Sequence, residues 1–206
     1  MAAKYWEITK VQLRHNAWQH VLICVLLLAA SPLVLGVKNL DAAQSAKVLE
    51  TYVALIGIIL FVPVFLPEQD RDLWDVVKVR YTKMTGVYLT RTVISLTVSA
   101  LLTAGSIAVL AAGDCEIEPG KYFFGTMAEI IAFGGLGILA YAVTDNLIAG
   151  YMISLGYYVA GISAGYRYLK KLYPFGMLID YETKYWILGA GLLCMACGIL
   201  LFRRRR

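Results

Sequence analysis

The residue best placed to do unusual chemistry is Glu129, the one charge in the apolar stretch 122–143. A carboxylate inside a membrane span costs about 2.5–3.5 kcal/mol on insertion scales, so it marks a cavity or a buried partner. The competing reading is a protonated carboxyl, or one that snorkels to the interface, and both stay open at this level. Helix rise puts Glu129 about 10 Å from the outer end of its stretch, within reach of an outer vestibule. Cys194-Met-Ala-Cys197 has the spacing of a metal or redox pair, but it lies within an apolar run with no second pair. Packing residues are the better reading of these cysteines. His15 and His20 flank the first apolar stretch without metal-ligand spacing, and no nucleotide-binding, nucleophile-elbow or paired-carboxylate motif occurs. Nothing resembles an active site, which argues against an enzyme.

Composition explains why. Of 206 residues, 60% are hydrophobic and 16% charged, with mean hydropathy +0.67; a soluble globule is usually about 25% charged. The apolar excess collects in six stretches, 20–37, 51–67, 92–112, 122–143, 147–166 and 185–202, and all but the fourth are charge-free. Each is near the roughly 20 residues that a spanning helix needs, and none alternates as a barrel strand would. The expected fold is therefore an all-α membrane protein with six transmembrane helices. The second stretch is the shortest, and Pro63 predicts a kink or early end there. Roughly 20 residues precede the first stretch, long for a signal-peptide n-region, so it reads as a retained span.

Lys and Arg distribution favours both termini in the cytoplasm of a plasma-membrane protein. That side receives Lys4, Lys10, Arg14, Arg71, Lys78, Arg80, Lys83, Arg91 and the terminal run Arg203 to Arg206; Lys184 and the cluster Arg167, Lys170 and Lys171 fall outside. The net charge of +5 thus sits at membrane edges, where membrane lipids are the partner and no nucleic acid is expected.

Two segments look built for contact. Residues 1–20 read as an amphipathic interfacial helix, with Trp6 and Trp18 suited to the headgroup layer. Residues 68–84 read as a cytoplasmic helix on which Leu73, Trp74, Val77, Tyr81 and Met84 share a face. Glu68, Asp70, Asp72 and Asp75 crowd its start, and Lys78, Arg80 and Lys83 crowd its end, the order that suits the helix dipole. It reads as a docking element or as a helix resting on headgroups.

In sum, the layout is an amphipathic N-terminal helix, six spans, an acidic-then-basic helical loop between spans two and three, a re-entrant-looking segment before the last span, and a basic tail. It resembles the permease subunit of type-2 ATP-binding-cassette exporters. The resemblance implies one transmembrane domain over 1–206, with 68–84 as coupling helix and 166–184 as outer helical hairpin. It implies that Glu68, Asp72, Leu73, Trp74, Val77, Arg80 and Tyr81 grip cytosolic ATPase subunits, which carry the ATP and magnesium. The chain itself would hold no cofactor or metal and would pair with a second permease. Glu129, Tyr157 and Tyr158 would line a path for an amphipathic peptide, lipid or small hydrophobic compound. The usual Gly-Thr after the acidic residue is replaced here by Asp70-Arg71-Asp72. The alternative is a non-transporting immunity or assembly factor that binds a partner in the bilayer.

Overall fold

A computed structural model describes residues 18–36, 38–68 and 84–205, and every regular element among them is helical. The elements are α1 (Trp18–Leu35), α2 (Ala42–Thr51), α3 (Ile56–Phe61), α4 (Met84–Ala112), α5 (Pro119–Thr144), α6 (Leu147–Leu169) and α7 (Glu182–Arg205). Short 3-10 turns lie at Val53–Leu55, Val62–Glu68 and Lys170–Leu172.

Local chemistry sets the boundaries. Asp41 caps α2 by accepting from the Gln44 N–H at 2.7 Å. Pro119 opens α5, where its missing donor is harmless. Asp145 ends α5 in the left-handed conformation, and the next residue, Asn146, caps α6 through the Ile148 N–H at 2.8 Å. Those two residues make the α5–α6 hairpin.

Among the described residues, four continuous segments are long and apolar enough to cross a membrane: Ala42–Leu66, Gly86–Ala112, Pro119–Thr144 and Glu182–Arg205. α6 makes a fifth if counted with its bend, for Leu147–Ser163 and Gly165–Leu172 meet at 118°. Of the six spans expected from the sequence, the described residues thus account for four, or five with the bent one. The first apolar stretch forms a helix whose apolar part among the described residues, Trp18–Pro32, is shorter than a span. The second span is longer than expected. It starts at Ala42 and runs on continuously as α-helix, 3-10, α-helix and 3-10, with Pro63 in the last turn. Residues 1–17 of the interfacial helix expected at 1–20 and 69–83 of the coupling helix expected at 68–84 lie outside the described residues.

α5 is the axle of the bundle, packing on α7 most extensively, then on α6, α3 and α4. The α5–α7 contact is a small-residue seam. A Cβ on Gly135 would collide with the Gly191 carbonyl, and one on Gly191 would stand 2.7 Å from the Ala132 backbone. Close backbone approach of this kind drives helix association where lipid removes the hydrophobic advantage. One end of the bundle is closed by rings: Phe65 stacks on Phe202 at 4.1 Å, and Tyr88 meets Phe65 edge-on at 5.1 Å. The Tyr141 hydroxyl donates to the Phe65 carbonyl at 3.4 Å. These contacts join α4, α5, α7 and the end of the second span.

The seam predicts that Gly135→Leu costs at least the roughly 3 kcal/mol upper range of overpacking, because a backbone carbonyl cannot step aside. Gly156→Leu on α6, where a Cβ meets nothing within 4 Å, should be near neutral. Thermal unfolding of both variants in mild detergent checks the contrast; equal effects would refute the seam.

Candidate functional site: a buried ion triad

At the end opposite the ring cluster, Glu129 has partners from two other elements. The Lys184 ammonium is fully buried, 0% exposed, and so is Glu129; Glu50 is 7% exposed. Lys184 Nζ donates to Glu50 Oε1 at 2.8 Å, to Glu129 Oε1, and to the Pro174 carbonyl at 2.5 Å. An ammonium has three protons to donate, and here each has an acceptor. Glu50 Oε1 also accepts the Met177 N–H at 2.7 Å. Glu129 Oε2 and the Thr126 hydroxyl, one turn earlier on α5, have no partner among the described residues.

The elements explain the convergence. α5 begins at Pro119, so about 15 Å of helix separates Glu129 from its start. Gly125, one turn before Glu129, leaves room for Met177 beside the lysine: a Cβ there would stand 2.9 Å from Met177 Cε. Glu50 lies near the end of α2, and Lys184 lies in the first turn of α7, the helix end that the dipole disfavours for a cation. The two carboxylates offset that penalty.

The triad also pins the chain between α6 and α7. Gly165, at φ 67°, turns α6 aside, a conformation that L side chains rarely adopt. The backbone then passes Lys170–Leu172 and returns into the bundle, burying Met177 and setting Phe175 edge-on to Tyr158 at 5.5 Å. Pro174 and Met177 contribute a carbonyl and an N–H to the triad, so this re-entrant turn is fastened by its own backbone. Gly161 of α6 faces Pro174 and Phe175, where a Cβ would be 2.7 Å from each ring. The Tyr173 phenol in the same turn is held above its ordinary pKa by burial and by the charges of Glu50 and Glu129, against the opposing effect of Lys184.

The other expected site residues fall in two groups. Tyr157 and Tyr158 sit beside Phe133, one turn beyond Glu129. Tyr157 donates to the Leu172 carbonyl, and Tyr158 to the Thr51 carbonyl at 2.9 Å, where the second span changes from α to 3-10 geometry. They thus tie α6 to the re-entrant turn and to the second span. Asp72, Leu73, Trp74, Val77, Arg80 and Tyr81 lie outside the described residues, and Glu68 closes the 3-10 turn Val62–Glu68. Arg91 of α4 donates to the Val64 carbonyl at 3.1 Å, bracing the end of the second span.

Of the three ions only Glu129 stands out in the sequence: Glu50 borders the apolar stretch 51–67, and Lys184 falls outside by the distribution of basic residues. The available signal was Glu129 itself: an intramembrane carboxylate calls for a cation, and Lys184 directly precedes an apolar run. Comparison with protein-family models, with curated proteins and with solved structures finds no match to this chain.

Lys184→Met would leave two buried carboxylates without a cation and should cost about 3–5 kcal/mol. Glu129→Gln keeps an acceptor for Lys184 and a neutral Glu50–Lys184 pair, so its cost should stay near 1 kcal/mol. Detergent melting curves of the two variants test this order, and a reversed order would mean that Glu129, not Lys184, organises the site.

Proposed function

We propose that this chain is the permease subunit of an ATP-driven exporter in the plasma membrane, with both termini cytoplasmic. Cytosolic ABC ATPase subunits would dock on residues 68–84, and a second permease copy or a related chain would complete the pathway. The observation that carries this reading is the re-entrant turn. α6 bends by 118° and the chain dips back among the helices before the last span. The layout that the sequence resembles has a structured outer segment at this position. The buried ions beside that turn are a further support, since charges inside a membrane bundle recur along transport paths.

In this reading the ATPases close on ATP and push residues 68–84, which lie in sequence between the second span and α4. Displacement of that span moves Glu50 relative to Glu129 and Lys184, so the triad connects the driven segment to the re-entrant turn. The cargo would be an amphipathic peptide, a lipid or a small hydrophobic compound. ATP hydrolysis belongs to the partner.

Purification of the tagged chain from its own membranes should bring down a soluble ATPase. Trp74→Ala and Asp72→Arg should each weaken that capture by roughly 30-fold, as removal of an interface hot spot worth about 2 kcal/mol does, without lowering membrane insertion. Unchanged capture by both variants would remove the coupling assignment. No ATPase in the wild-type preparation would favour the immunity- or assembly-factor reading. Glu129→Gln should reduce transport far more than stability.

A further inference from the structure

Between α1, α2 and α4 lies a groove of about 410 Å³ that none of the preceding function uses. Ala29, Pro32, Val48, Leu102 and Gly105 are among its walls. Its two hydroxyls are already engaged within their own helices: Ser31 donates to the Leu28 carbonyl at 2.8 Å and Ser106 to the Leu102 carbonyl at 2.9 Å. What remains is two serine lone-pair acceptors in an otherwise apolar lining, a poor site for ordered water. The groove is open on one side, so on a bundle read as spanning a membrane its natural occupant is hydrocarbon.

Shape and position narrow it further. The lining runs along α4 from Leu101 to Leu110, about 13 Å of helix rise, close to the roughly 15 Å depth of one leaflet's hydrocarbon. The far end meets the α1–α2 loop, which is tied to α4 by the Asn39 N–H donating to the Gly113 carbonyl at 2.9 Å. Exposed Lys38 and Asp114 stand at that end, a cation and an anion at headgroup level. We propose that the α1–α4 groove is a binding site for one acyl chain of a bilayer phospholipid, with Lys38 at its phosphate. This proposal does not depend on the exporter reading.

The test uses the full chain in phosphatidylcholine vesicles containing a trace of phosphatidylcholine with a photoactivatable group in one acyl chain. After illumination, adducts should concentrate on residues 25–32 and 101–110 over the equally apolar exposed face of α7 at Leu192, Leu193 and Leu200. Gly105→Leu, whose Cβ meets nothing within 4 Å, should fill the groove and lose most of that labelling. Ala29→Phe should do the same from α1, while Gly189→Leu on α7, also in open space, should leave it intact. Labelling spread evenly over α1, α4 and α7 would overturn the proposal, as would groove labelling that survives both filling variants. A groove free of label whose filling converts a dimer to a monomer would assign it to a second copy of the chain instead.

Discussion

One ammonium group holds together the end of this molecule where chemistry could occur. Lys184 reaches the bundle interior only because two carboxylates and a backbone carbonyl meet it there, and each needs the lysine as much as it needs them. In a low-dielectric interior an unpaired charge of either sign is costly, whereas a fully engaged cluster is tolerated. The three side chains come from separate elements, so satisfying them fixes α2, α5 and α7 relative to one another. Through Pro174 and Met177 the same cluster fixes the turn between α6 and α7.

The rest of the bundle is built by different means. Between that cluster and the ring end, the α5–α7 seam has no charges to match, and small residues let the backbones approach until dispersion does the binding. At the far end, stacked and edge-on rings join four elements. A molecule with one ionic end and one aromatic end is unevenly resistant to change. The aromatic end repacks by small shifts, but the ionic end must keep its partners or give up the whole cluster. The groove on α1 and α4 is lined by neither the ion cluster nor the rings, and the lipid chain proposed for it would be a component of the packing.

The apolar stretches were legible because bilayer thickness imposes a length that few other demands mimic. Glu129 was legible as an anomaly for the same reason. The 3-10 turn at Val53–Leu55 was not: no proline or glycine marks it, and the Thr51 carbonyl is taken by Tyr158 from a distant helix. The sharp bend of α6 falls at Gly165, one of several glycines in that helix, and nothing local says which of them turns.

What the chain's own order of residues determined was class and layout: a helical membrane protein, the rough position of its spans, and one buried acid in need of company. Tertiary structure alone decided who keeps that acid company. Glu50 and Lys184 each border an apolar run, where a charged residue is ordinarily solvated and unremarkable. They become interior groups only when the re-entrant turn folds over them and excludes water. Burial depends on the neighbours that assemble around a residue, and those neighbours are far away in the chain.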